Sequence, residues 1–270
     1  MSLQIIEWSD FLKADINSIG KDSEGAAMTI GVFDGVHLGH QALIERIVSR
    51  GPFPTAVTFR ENPKKIISPE KYQGDIISLK QKLEVFEQKG VNRVILIDFS
   101  LEFSKLNGWD FLKLLEERGK MAFLAIGSNF RCGYQQDTGA EYIAAMNKKK
   151  GIPTEVIPPV TLPPEFGKEP VNSSRIRSTL INGDLTTAAA LLGRRFELDI
   201  SDLESGEQIY ETGSVMRIIP PDGEYPVIVN PGKMKAHAII GNGKLKLMFS
   251  AEPGDKAFKP ARPAESLEFI

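Results

Sequence analysis

The sequence holds one cysteine, Cys132, among 270 residues, so neither an intrachain disulfide nor a cysteine-built zinc site can form. It has no excess of either charge. Its 33 Lys+Arg stand against 35 Asp+Glu, a formal net charge of −2, which removes the electrostatic ground for binding a polyanion non-specifically. Long apolar runs are missing too: the longest, at 94–97 and 121–126, fall far short of the roughly 20 residues a membrane span needs. No basic segment followed by an apolar one opens the chain, and no lipidation pattern is present, so neither a secretory signal nor an anchor is expected. These absences predict a protein of the reducing cytoplasm that does not span a membrane and for which nucleic acid is not the default partner. What remains is ordinary globular material, 41% hydrophobic and 25% charged, enough for one large α/β domain or two smaller ones.

Short apolar runs alternate with amphipathic stretches through the first two thirds. Strands are predicted over 27–33, 55–59, 93–99, 121–126 and 154–157. Helices are predicted over 40–50, 79–89, 110–118 and 139–150. In the first of these Leu43, Ile44, Ile47 and Val48 share one side and Gln41, Glu45, Arg46 and Ser49 the other. This alternation predicts an α/β fold with a doubly wound parallel sheet. Ser173 or Ser174 can cap a helix running to Ile181, and Asp184 a second over 185–192 that Gly193 ends. Beyond 198 the texture changes, with 7 of the 17 prolines in the last 72 residues. Extended pieces at 214–219, 225–229, 235–240 and 244–249 predict a small C-terminal β domain, giving domains 1–198 and 199–270.

Two of the three histidines fall in Gly31-Val32-Phe33-Asp34-Gly35-Val36-His37-Leu38-Gly39-His40, at the junction of the first predicted strand and helix. In an open α/β sheet the ligand crevice lies beyond the carboxyl ends of the strands, where a helix N-terminus offers free N–H groups to phosphate. Glycines at 31, 35 and 39 permit close approach, and His-x-Gly-His lets two imidazoles face one anion. Such a pair also suits a metal or a plain surface turn, but only His237 and Cys132 remain as further nitrogen or sulfur ligands. No metal site is expected.

The segment Gly31-x-Phe33-Asp34-Gly35-x-His37-x-Gly39-His40-Gln41 resembles the nucleotide-binding signature of the bacterial FAD synthetases, the FMN adenylyltransferase half of the bifunctional riboflavin kinases. The wider nucleotidylyltransferase superfamily shares only His-x-Gly-His. Further stretches are similar to the same family: Val57-Thr58-Phe59 with Asn62-Pro63, Leu79 through Lys82 to Gly90-Val91, Gly127-Ser128-Asn129-Phe130-Arg131-Cys132-Gly133, Val171-Asn172-Ser173-Ser174-Arg175-Ile176-Arg177, and 188–194. The resemblance spans about residues 25–198. It implies transfer of AMP from ATP, brought in with Mg²⁺, to FMN. ATP would be bound by Gly31, Phe33, Asp34, Gly35, His37, Gly39, His40, Ser173, Ser174, Arg175 and Arg177. His37, His40, Ser174 and Arg175 would act in catalysis, the Ser and Arg side chains clamping the departing pyrophosphate. Asn62, Asn129, Phe130 and Arg131 would bind the flavin. The chain departs from the family with Glu61-Asn62-Pro63 in place of Pro-His-Pro, Cys132 in place of an aromatic and Asn172 in place of a serine.

In the bifunctional relatives the C-terminal barrel carries a Pro-Thr-Ala-Asn segment for nucleotide phosphate and metal. Residues 199–270 contain none, although 220–225 is similar to the barrel's Pro-x-Gly-x-Tyr stretch. A shortened barrel without kinase activity is expected. Two alternatives stay open: a nucleotidylyltransferase with another phosphate acceptor, and a flavin or nucleotide sensor that has lost its chemistry.

Overall fold

Runs that are buried at every position belong to strands covered on both faces, and 26–30 and 93–97 are of this kind. A computed structural model of the chain describes residues 2–13, 25–51, 53–206, 208–213, 216–230, 233–249 and 264–270. Two compact units divide it: Met1–Tyr72 with Lys82–Thr161, and Gln73–Gln81 with Leu162–Ile270.

The first unit contains β1 (Gln4–Glu7), α1 (Trp8–Lys13), β2 (Ala26–Ile30), α2 (Leu38–Arg50), β3 (Pro54–Phe59) and the short α3 (Lys64–Ile67). Helix α4 (Leu79–Gln88) begins in the 73–81 segment and continues into this unit. Then follow β4 (Arg93–Ile97), α5 (Gly108–Glu117), β5 (Met121–Gly127), a small hairpin of β6 (Arg131–Cys132) and β7 (Thr138–Gly139), α6 (Ala140–Lys149) and β8 (Thr154–Ile157). Six strands form one wholly parallel sheet in the order β1-β4-β3-β2-β5-β8, flanked by helices, as the alternation predicted. Its core gathers Met28, Ile30, Val57, Ile95, Ile97, Leu124 and Ile126 from the strands with Phe111, Leu112, Leu115 and Ile143 from the helices.

Three details differ from the sequence expectation. The edge strand β1 was not foreseen, because four residues, Gln-Ile-Ile-Glu, are too short to show a period. Its register beside β4 is held in part by Arg93 Nε, which donates to Gln4 Oε1 at 2.9 Å. Strand β2 stops at Ile30 rather than reaching 33, since Phe33 turns to φ 53°. On α2, Gln41 is buried while Val48 is 39% exposed, so the two exchange the sides their polarity suggested.

In the second unit, α7 (Ser173–Ile181) and α8 (Leu185–Leu192) precede an antiparallel half-barrel. The cap of α7 is neither serine but Asn172, whose Oδ1 accepts from the Arg175 N–H at 2.9 Å. Asp184 caps α8 by accepting from Thr187 N–H, and Gly193 ends it in the left-handed conformation, both as expected. The seven strands are β9 (Glu197–Asp199), β10 (Ser205–Gly206), β11 (Ile209–Glu211), β12 (Gly223–Asn230), β13 (Met234–Gly241), β14 (Lys244–Phe249) and β15 (Ser266–Phe269). Their order is β10-β11-β14-β13-β12-β15-β9. Of the extended piece expected at 214–219, residues 214 and 215 lie outside the described residues. Residues 216–219 form no strand. Arg217 instead makes an isolated bridge to Asp75, whose N–H donates to the Met216 carbonyl at 2.9 Å.

Candidate active site

Strand β2 sits between β3 and β5, and the chain builds first to one side of it (β3, β4) and later to the other (β5, β8). A reversal of this kind opens a crevice at the carboxyl ends of the two strands. From β2 the chain enters 31–37, and from the neighbouring parallel β5 it enters 127–131. The motifs expected for nucleotide and flavin thus leave adjacent strand ends of one unit.

The 31–37 turn is strained. Phe33 (φ 53°), Gly35 (φ 83°) and Val36 (φ 38°) all occupy the left-handed region, which a β-branched residue such as Val36 rarely adopts. A conformation of this type persists only where its surroundings hold it. At one end, Gln41 Nε2 donates to the Val36 carbonyl at 3.0 Å. At the other, the Val32 carbonyl accepts from Thr58 Oγ1 at 3.2 Å and from Lys82 Nζ at 3.1 Å. Between them the Phe33 ring is fully buried, edge-on to Phe86 at 5.3 Å and to His40 at 5.1 Å. A side chain at Gly31 would press on that ring, with its Cβ 3.3 Å away.

His37 caps α2. Its Nδ1 accepts from the His40 N–H at 3.3 Å, which assigns the proton of the neutral ring to Nε2, a donor. The His40 ring stacks on it, with centroids 3.6 Å apart and planes 18° from parallel, across the side-chain-free Gly39. His40 Nδ1 is enclosed without a hydrogen-bond partner. Burial holds the His40 imidazole well below its ordinary range, and the charges of His37 and Lys82 add to the effect. With His40 held toward its neutral form, the pair stands at a helix N-terminus, where unpaired N–H groups and the dipole favour an anion. Asp34 is buried in the same turn.

Asn62 follows β3 and is buried. Its Oδ1 accepts from the Lys64 N–H at 3.2 Å at the start of α3. Beyond β5, Asn129 and Arg131 are exposed, and Phe130 packs partly against the sheet core. Arg131 Nε donates to the Gln136 carbonyl at 2.9 Å. Burial, with Asp137 contributing, pushes the Cys132 thiol up to about 12, so it stays protonated and unreactive at neutral pH.

Ser173, Ser174, Arg175 and Arg177 belong to the second unit. Ser174 is exposed in the first turn of α7. The Arg175 guanidinium donates to the carbonyls of Phe166 and Glu169. Arg177 is buried, and its Nε donates to the Gly74 carbonyl at 2.9 Å, so neither arginine is simply solvated. Among the described residues, no group of three or more His, Cys, Asp or Glu could hold a metal ion, and no helix is long and apolar enough to cross a membrane.

Two members of the first unit's site, Gln41 and Lys82, fall within the family-like stretches but were assigned no site role from sequence. The signal for Lys82 lay in its position. It stands three residues after Leu79 and four before Phe86, on the apolar stripe of α4, where a charge is out of place.

Comparison with known proteins bears on these motifs. A family profile described as FAD synthetase matches residues 19–175. A bifunctional riboflavin kinase/FMN adenylyltransferase of Escherichia coli is 30% identical over 220 residues, covering 76% of this chain and 68% of its own length. An FAD synthetase of Listeria monocytogenes is 26% identical over 209 residues, covering 76% of this chain and 82% of its own. Among solved structures, one described as a macrolide-efflux protein from Streptococcus pneumoniae superposes with a TM-score of 0.76. It covers 100% of this chain and 90% of its own at 20% identity, a likeness of fold alone.

Proposed function

Because the chain belongs to the FAD synthetase family, we propose that this nucleotidyltransferase moves AMP from ATP to FMN, giving FAD and pyrophosphate, and does not phosphorylate riboflavin. The observation that carries the reading is the stacked His37/His40 pair at the N-terminus of α2, beside the reversal point of the sheet. An FMN phosphate oxygen attacks the α-phosphorus of ATP in line. One P–O bond forms as the bond to the β-phosphate bridge breaks, and pyrophosphate leaves with both electrons of that bond. No covalent enzyme intermediate is needed, so the work is positioning and charge stabilisation. His37 Nε2–H and the free N–H groups of α2 face the phosphates, and the nucleotide's negative charge favours a proton on His40. Mg²⁺ enters with ATP as part of the substrate.

On α7, the Ser173 and Ser174 hydroxyls and Arg175 take the pyrophosphate, Arg175 exchanging the Phe166 and Glu169 carbonyls for phosphate oxygens. We assign Arg177, buried on Gly74, to shaping that region from beneath. The flavin side falls to Asn62, Asn129, Phe130 and Arg131.

The absence of kinase activity is supported by 199–270, which lack Pro-Thr-Ala-Asn. The sheet there turns Val227, Val229, Ala236, Ala238, Leu245, Leu247 and Leu267 into a packed apolar interior. Its late acids pair with cations, Glu265 with Lys80 at 2.5 Å and Glu268 with Arg195 at 2.9 Å. By this reading, residues 1–198 form the transferase module and 199–270 a reduced barrel, a division by chemistry rather than by compactness.

The test supplies ATP with FMN or with riboflavin and measures FAD and pyrophosphate. FAD from FMN alone is expected. FAD from riboflavin overturns the kinase-free reading, and pyrophosphate release only with another acceptor overturns FMN as substrate. Tight FAD binding without turnover indicates a sensor. In the active enzyme, His40→Ala should lower kcat by about 10²–10³-fold, with a far smaller change in FMN affinity.

A further inference from the structure

An ammonium group is costly to bury unless its protons are taken. Lys82 is only 6% exposed, and the side chain ends beneath the strained turn rather than in solvent. Nζ donates to the Val32 carbonyl at 3.1 Å and to the Phe59 carbonyl at 3.1 Å. Val32 lies just beyond β2, and Phe59 is the last residue of β3, so one ammonium ties the carboxyl ends of two adjacent strands at the mouth of the crevice. Both of these acceptors are backbone carbonyls, and an aliphatic side chain, though it would fill the same stem volume, could not tie them together.

What Lys82 holds is the first residue of the 32–37 turn. Phe33, Gly35 and Val36 all sit at positive φ, and a turn so strained keeps its shape only while both ends are fixed. Gln41 fixes the far end through the Val36 carbonyl, and Lys82, with Thr58, fixes the near end through the Val32 carbonyl. The turn delivers His37 to the cap of α2 and sets the Phe33 ring against His40. Resting on the transfer reading above, we propose that Lys82 is a positioning residue for the His37/His40 pair, its ammonium clasping the Val32 and Phe59 carbonyls so that both imidazoles are held ready for phosphate.

Charge reinforces the geometry. The charged groups that act on His40 are His37 and Lys82, and Asp34 is buried in the same turn. After burial and His37, Lys82 is the third influence that keeps the His40 imidazole deprotonated. The clasp therefore positions the pair and also helps to keep His40 deprotonated until a polyanion arrives.

The experiment compares the full chain with Lys82→Met, which keeps the stem and loses the charge, and with Lys82→Arg. Because the chain has only three histidines, imidazole NMR signals can be followed one by one across pH. In Lys82→Met the His40 titration should move up toward the ordinary imidazole range. Turnover of FMN to FAD should drop by about 10- to 100-fold, with a smaller change in KM for ATP. Lys82→Arg should keep the low titration and recover most of the turnover. An unmoved His40 titration together with a kcat within about twofold of wild type in Lys82→Met overturns the proposal. Should Lys82→Met fail to fold, the proposal rests on the other two proteins, and it is overturned if wild-type His40 titrates in the ordinary range or if Lys82→Arg loses the low titration. A wild type that makes no FAD from FMN counts against the transfer reading, while the titrations still decide the role of Lys82.

Discussion

The imidazole rings of His37 and His40 lie with centroids 3.6 Å apart and planes 18° from parallel. Two imidazolium charges at that separation repel, so the stack disfavours protonating both rings at once. Burial, then His37 and Lys82, lower the His40 titration well below its ordinary value. The unfolded chain, whose histidine titrates near about 6.5, therefore binds more protons than the native state in mildly acidic solution. The stability that a neutral His40 contributes is fully present above that value and is lost as the pH falls below it. The thermal midpoint of the wild type should fall more steeply from about pH 7.5 to about pH 5 than that of His40→Gln, which carries no titrating ring. Parallel pH profiles for the two proteins would show that His40 is not held neutral.

Asn172 is the residue by which the α7 motif departs from the family's serine, and in this structure it caps the helix. Its Oδ1 accepts from the Arg175 N–H at 2.9 Å, and its Nδ2 donates to the Pro170 carbonyl at 3.1 Å. Asn172→Ala should cost about 1 kcal/mol in denaturant unfolding, whereas Asn172→Ser should cost only a few tenths. Equal losses in the two variants would mean that the cap is not what Asn172 supplies.

The parts of the fold legible in the sequence were those with a period or a stop. The central strands announced themselves as unbroken apolar runs, and Asp184 and Gly193 bracket α8 as their side-chain chemistry requires. The same holds for the turn into α2, where glycines and histidines share a short segment. What stayed hidden depended on tertiary contact. Whether Asn172, Ser173 or Ser174 caps α7 is decided by which oxygen reaches an N–H, and three adjacent capping residues leave that open. Gln41 looks like a solvent-facing residue because a helix wheel scores polarity, and although the wheel sets Lys82 on the apolar stripe of α4 it cannot register that the Val32, Val36 and Phe59 carbonyls take these donors. Arg177 reads as a surface cation until the Gly74 carbonyl is seen to receive it.

Gly133 closes the flavin-side motif, at φ 84°. A Cβ there would lie 2.1 Å from the Gly108 nitrogen and 2.3 Å from Asp137 Oδ1. That oxygen already accepts from the Gly108 N–H at 3.1 Å and from Thr138 Oγ1 at 2.7 Å, so it is not free to retreat. Gly133→Ala combines backbone strain with a clash against backbone and should destabilise the protein by about 3 kcal/mol or more. Gly151 also has positive φ, but nothing lies within 4 Å of its Cβ position, so Gly151→Ala should lose no more than about 1 kcal/mol. Similar unfolding midpoints for the two variants would rule out the steric account.

Arg175 and Arg177 stand two residues apart on α7 and donate to carbonyls in different settings, one in an exposed turn and one buried, and the difference predicts different consequences. Arg177 is buried and donates to the carbonyl of the buried Gly74, which begins the strained step (φ 107°) into the Asp75–Arg217 bridge. Removing the guanidinium in Arg177→Leu leaves a buried carbonyl short of its donor and should cost about 1–3 kcal/mol. Arg175 serves the Phe166 and Glu169 carbonyls of a surface turn, and its ion pair to the exposed Glu169 is long, at 3.9 Å. The Arg175 side chain is only 11% exposed, but its acceptors lie in an exposed turn where water can replace a lost donor, so Arg175→Ala should change stability by about 1 kcal/mol. If Arg175 is the pyrophosphate clamp, the same variant should lower kcat by about 10²-fold, because a donor that strengthens its bonds as charge develops on the leaving group acts mainly in the transition state. Measuring unfolding and turnover on both variants separates the roles. A stable, inactive Arg175→Ala beside a destabilised Arg177→Leu with a near-normal kcat fits them, and the reverse pattern would exchange the two arginines in the site.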